Sequence, residues 1–123
     1  MISQERLSQI ELDFNTTLSQ EKDNFDKFMK ASDTLKEYKE NLELLKSEKW
    51  LEFLESIKDE KTNEEFRRNK FNTILSDNPE YINLNNSILL QEKNIRELDF
   101  MRQRYRDLVR FKIHFLEVLK NVE

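Results

Sequence analysis

The alternation of apolar and polar positions is most regular in the last third of the chain. From Leu84 onward, steps of four and three residues meet Leu84, Ile88, Gln91, Ile95, Leu98, Met101, Tyr105, Leu108, Lys112, Phe115, Leu119 and Val122. Ten of these twelve positions are apolar, and Gln91 and Lys112 have long stems that can cover a seam. Spacing of this kind predicts one long amphipathic helix over about residues 79–121. A buried stripe of that length needs a partner stripe to match it.

The first segment supplies one. Leu7, Phe14, Phe28, Leu35 and Leu42 fall at intervals of seven or fourteen, with Glu21 as the polar gap. Ile10, Ala31, Tyr38 and Leu45 stand three residues after members of that series, with Thr17 and Asn24 as weak steps. Beyond Leu45 the stripe broadens into Trp50, Phe53, Leu54 and Ile57. Cap-forming side chains cluster at Asn15-Thr16-Thr17 and Ser32-Asp33-Thr34, where a break would be placed. The apolar spacing nevertheless keeps its phase through the second cluster, which favours one continuous helix over about residues 3–58.

Lys58-Asp59-Glu60-Lys61 then forms a polar corner. Thr62 stands three residues before Glu65, the spacing of a capping box, and Phe66, Phe71, Ile74 and Leu75 follow, predicting a short helix over about 63–75. Pro79 disfavours helix at Asn78 but suits the first position of a new helix capped by Asn78. The expected architecture is all-α, a single helical domain over 1–123. It is a long antiparallel helical hairpin with a short helix at the turn and coiled-coil-like packing. Trp50 is read as a core plug at the turn end, with Phe53, Leu54 and Phe66 around it; the alternative is an exposed anchor for a partner. At the other end, two helices alone would leave Phe14, Phe25, Phe28 and Phe115 uncovered. That excess predicts a homo-oligomer, a dimer first, assembled through the N-terminal heptad and the far end of the last helix, with Leu7, Ile10, Phe14, Phe25 and Phe28 as the oligomer contacts.

Composition sharpens this picture by exclusion. The 123 residues include no Gly, no Cys, one Pro and one His, and 37% are charged. Without Gly, tight β-hairpins and phosphate-cradling loops are not expected. Nine Phe, three Tyr and one Trp at helical spacing separate the chain from disordered sequences of similar charge. The longest run of large apolar residues, Ile88-Leu89-Leu90, is far too short for a membrane span, and Met1-Ile2-Ser3-Gln4-Glu5 does not begin a secretory signal. A cytoplasmic protein without membrane contact is expected. Cysteine–histidine nucleophiles and thiolate–imidazole zinc sites are excluded. His114, with Phe111 three residues before it, lacks the acid of a di-metal pair and reads as an ordinary surface or boundary histidine. No catalytic residue, metal or cofactor is expected.

Charge is uneven. Residues 1–61 hold ten Lys/Arg against fifteen Asp/Glu, whereas residues 93–112 hold seven basic residues against three acidic ones. Arg102, Arg106, Arg110 and His114 stand four apart on one ridge, with Arg104 and Lys112 alongside. Like charges at that spacing repel by a few tenths of a kcal/mol per pair, roughly, so something must offset them. One reading pairs the ridge with the acidic first helix and with Asp99 and Asp107. The other gives it to phosphate, whose geometry the guanidinium matches with two parallel hydrogen bonds.

One further pattern spans residues 35–120: Tyr38 and Leu42, Glu48-Lys49-Trp50, Lys61-Thr62 leading to Arg67-Arg68, then Ile88, Glu92, Ile95, Leu98 and a basic end closing on Phe115-Leu116. It resembles a group of small helical bacteriophage proteins from Gram-positive hosts, encoded among early recombination and replication genes. The resemblance implies a phage accessory protein acting in the host cytoplasm through another macromolecule, and it carries over no catalytic residue. The expected function is therefore a non-enzymatic interaction protein that binds a host or phage protein. A nucleic-acid-binding accessory factor is the alternative.

Overall fold

A computed structural model describes residues 2–122. Three helices follow in order, α1 (Gln4–Ser56), α2 (Glu64–Ser76) and α3 (Pro79–Val122), and no strand occurs among the described residues. The chain is an all-α helical hairpin in which α1 and α3 pack against each other. α1 passes through both clusters of cap-forming residues without a break. A Thr or Ser inside a helix can return its hydroxyl to the carbonyl one turn back, as Thr16 does to Leu12 at 3.0 Å and Thr17 to Asp13 at 3.1 Å. No described residue has positive φ, so the corners are built without the left-handed conformation that glycine serves.

The helix ends are fixed by side chains. Ser3 opens α1, its Oγ accepting from the Arg6 N–H at 3.2 Å. α2 is capped one residue later than the capping-box spacing predicts. Asn63, in extended conformation, accepts from the Phe66 N–H at 2.7 Å. The hydroxyl of Thr62 serves another group, accepting from Arg67 Nε at 2.7 Å. At α3 the expected arrangement holds, with the Tyr81 N–H donating to Asn78 Oδ1 at 3.0 Å and Pro79 at the first helical position.

Contacts divide the chain into two compact units. The first combines α1 up to Ala31 with α3 from Asn94 onward; the second spans Ser32–Lys93. The second unit holds the aromatic core. Phe53 and Ile57 of α1 meet Phe71 and Leu75 of α2, with Trp50 and Tyr81 packed against them. The Trp50 and Phe71 rings meet edge-on at 5.1 Å, and Phe53 lies 5.7 Å from Phe71. Ring pairs at these separations add about 0.5–1.5 kcal/mol each beyond area burial. Leu45 and Ile88 are buried on the arms of the same unit.

Trp50 and Phe53 therefore take the core role expected of them, and Leu54 is half-buried. Phe66 does not: it is 48% exposed, under the Lys70 ammonium at 5.7 Å. The buried face of α2 runs through Phe71 and Leu75, one helical turn apart, and continues to the half-buried Arg67. Phe66 and Ile74 sit one step around the helix and face outward.

In the first unit, the seam of α1 is the predicted seven-residue series, polar steps included. Leu7, Ile10, Phe14, Glu21 and Phe28 are half-buried, and Thr17, Asn24 and Ala31 are buried. The seam of α3 follows prediction through Leu98 and then departs by one residue. Arg102, Val109 and Leu116 line it, while Met101, Leu108 and Phe115 are exposed. A strict repeat of seven from Ile88 and Ile95 requires position 102, where the sequence carries arginine. Tyr105, Lys112 and Leu119 keep their predicted places. The expected continuation of the stripe to Val122 lies outside the described side chains.

Candidate functional site: the polar seam and the outer faces of the first unit

The first unit gathers most of the candidate residues, and the seven-residue repeat decides where each goes. Arg102 occupies a seam position on α3 facing Phe28 and Phe25 of α1. Its guanidinium carbon lies 5.1 Å from the Phe28 ring centre and 5.6 Å from that of Phe25. Its stem covers apolar surface, and its planar head stacks on the negative faces of two rings. Leu18, Glu21, Lys22 and Arg106 complete an open groove beside it. The charge that looked like the first member of a ridge is held in a cation–π clamp between the two helices.

Ten residues along α3, Lys112 forms a second cross-connection. Its ammonium donates to Asp13 Oδ2 and to the Thr17 hydroxyl, both at 2.6 Å. Thr17, only 3% exposed, passes its own proton to the Asp13 carbonyl at 3.1 Å. The Lys112 side chain is 19% exposed against 66% for Asp13, so solvent screens the ion pair from one side. Much of the benefit lies in giving the buried hydroxyl an ionised donor, since hydrogen bonds to charged groups contribute about 1.5–3 kcal/mol.

Asn24 is the third polar step. It is 6% exposed, its Nδ2 reaches the Leu98 carbonyl at 3.4 Å, and its Oδ1 has no hydrogen-bond partner among the described residues. A buried acceptor left unpaired costs roughly 1–3 kcal/mol. Together Thr17, Glu21 and Asn24 replace what would otherwise be three apolar layers of the seam.

The remaining basic candidates lie outside the seam. Arg104 sits 5.9 Å from the Phe100 ring centre, and Arg106 and Arg110 are exposed. Among the described residues neither Arg106 nor Arg110 has an acid within ion-pairing distance, so the expected pairing with α1, Asp99 and Asp107 does not form there. Asp99 instead accepts from Gln103 Nε2 at 3.4 Å. The oligomer candidates divide as well. Leu7, Ile10, Phe14 and Phe28 are half-buried in the seam of their own chain, and Phe25 is exposed beneath Arg102.

What sequence reasoning missed is the extent of the outer face of α3, where it left only Phe115 uncovered. Met101, Leu108, Phe111, Phe115 and Val118 are all exposed, with the Phe111 and Phe115 rings stacked at 6.4 Å and 10°. The signal was present: Met101, Leu108 and Phe115 repeat every seven residues, as do Phe111 and Val118. They belong to a second stripe one residue behind the seam positions, and the predicted stripe included Met101, Leu108 and Phe115 but not Phe111 and Val118.

No group of three His, Cys, Asp or Glu side chains is placed to hold a metal ion among the described residues, and no described helix is long and apolar enough to cross a membrane. No family model, curated protein or solved structure matches the chain.

Proposed function

We propose that the protein is a non-enzymatic helical interaction module that binds another protein. The observation that carries this reading is the exposure of large apolar side chains on helices already packed along a different face. In the Ser32–Lys93 unit, Leu89 and Leu90 of α3 are 62% and 70% exposed while their neighbour Ile88 is buried. Adjacent leucines turned to solvent on a well-packed helix form an apolar patch suited to docking another molecule. With the resemblance to small phage proteins, the reading becomes a phage accessory or regulatory factor acting on a host or phage protein in the host cytoplasm.

The test is affinity capture from infected-cell lysate treated with nuclease. A specific protein retained by the wild type and lost by a Leu89→Glu, Leu90→Glu variant of unchanged helicity supports the reading. Equal capture by both would remove this surface from it.

The unpaired Arg106 and Arg110 favour a second reading, a nucleic-acid-binding accessory factor. Arg102 is excluded from that test because its head is committed to Phe25 and Phe28. Under this reading, replacing Arg104, Arg106 and Arg110 with Ala abolishes a DNA or RNA affinity that falls steeply with salt, because each neutralised phosphate releases counterions. Under the first reading no such affinity exists before or after the change.

A further inference from the structure

The second stripe of α3 has the period of a helix-binding seam. Met101, Leu108 and Phe115 recur every seven residues, and Phe111 and Val118 occupy the interleaved series, whose first member is Arg104. All five apolar residues are exposed, Phe111 by 65% and Phe115 by 42%. A side chain set with this repeat fits another helix carrying the same repeat, because two helices stay in register only when their apolar periods match.

We infer that this stripe binds a second copy of the chain, α3 against α3 in antiparallel orientation, about a two-fold axis passing near Phe111. Two features select this occupant. The first is charge. Running antiparallel about position 111 places residue 104 of one copy opposite residue 118 of the other. Arg104 then falls beside Glu117 of the second copy, and symmetry makes the contact twice. Parallel pairing would set Arg104 against Arg104 and Glu117 against Glu117. The second feature is area. The five apolar side chains and Phe100 at the edge expose on the order of 500 Å² per copy, so two copies remove roughly 1,000 Å² from water. That is about the lower bound for a specific protein interface. The stacked Phe111 and Phe115 rings of both copies form the centre, where aromatic anchors contribute most.

Of the two surfaces expected to join copies, this interface uses the far end of α3 and not the heptad of α1, whose Leu7, Ile10 and Phe14 are half-buried within their own chain. It is also distinct from the partner surface at Leu89 and Leu90. The two proposals fail separately: Phe111→Asp is expected to leave capture of the protein partner intact.

The experiment is light scattering on the full chain after size exclusion, with sedimentation equilibrium for the dissociation constant. The wild type is expected at twice the chain mass at tens of micromolar. Phe111→Asp is expected at the mass of one chain with an unchanged circular dichroism spectrum, since position 111 is exposed within each chain. Arg104→Glu alone and Glu117→Arg alone should each weaken the dimer roughly fivefold, the effect of turning two exposed attractions into repulsions. The double reversal should restore wild-type affinity. A monomeric wild type, or a dimer indifferent to Phe111→Asp, would overturn the proposal. A double reversal that fails to rescue the single ones would overturn the antiparallel register.

Discussion

The two units solve the same problem, holding α1 against another helix, with opposite materials. Around Trp50 in the Ser32–Lys93 unit, three aromatic rings and three aliphatic or phenolic neighbours exclude polar groups from the centre. In the unit that pairs the start of α1 with the end of α3, the same seven-residue register carries Thr17, Glu21 and Asn24 on one side and Arg102 and Lys112 on the other. An apolar layer stabilises by area and tolerates neighbouring registers. A polar layer contributes less and discriminates more, because each donor finds its acceptor at one offset only. The first unit is therefore specified in register more than it is stabilised, and the second is stabilised more than it is specified.

The largest expected effect tests the stable side. Phe71→Ala removes the ring that both Trp50 and Phe53 touch and should lower unfolding free energy by about 3–5 kcal/mol. Urea titration monitored by Trp50 fluorescence measures it, and a loss below about 1 kcal/mol would deny the aromatic core its place in the comparison.

The α1 half of that core was legible because Trp50 and Phe53 stand three residues apart, but its boundary on α2 was not. Phe66 and Arg67 are adjacent, and hydrophobicity alone selects the phenylalanine. Geometry selects position 67, four residues before Phe71, because the stem of an arginine can line an apolar face while its head reaches Thr62. The same substitution of logic occurred on α3. At Leu98 a step of three reaches Met101 and a step of four reaches Arg102, and only knowledge that Phe25 and Phe28 await a cation makes the second choice compelling. The α1 seam was legible through its polar steps because the seven-residue spacing persists across Thr17, Glu21 and Asn24 whatever the residue type. Cap chemistry was ambiguous for a local reason: Thr62 and Asn63 are both competent caps, and the Arg67 side chain claims the first.

A second substitution should move stability the other way. Asn24→Leu removes an unpaired buried acceptor and adds apolar contact, so the unfolding midpoint should rise, by roughly 1–2 kcal/mol of stability. A fall of similar size would mean that the Asn24 contact with Leu98 outweighs its unpaired oxygen. The smallest effect is expected at Arg102. Arg102→Ala should cost about 1 kcal/mol, the sum of a cation–π contact and lost stem packing. Arg102→Met, which keeps the stem, should recover part of the loss; full recovery would leave no role for the charge.

Native-state hydrogen exchange tests the contrast itself, residue by residue. Opening free energies measured on amides of α1 between Phe14 and Phe28, and of α3 between Leu98 and Lys112, should be lower than those between Leu45 and Ile57 and around Phe71 and Leu75, where apolar burial is densest. Equal protection throughout, or greater protection along the polar seam than in the aromatic core, would contradict the account.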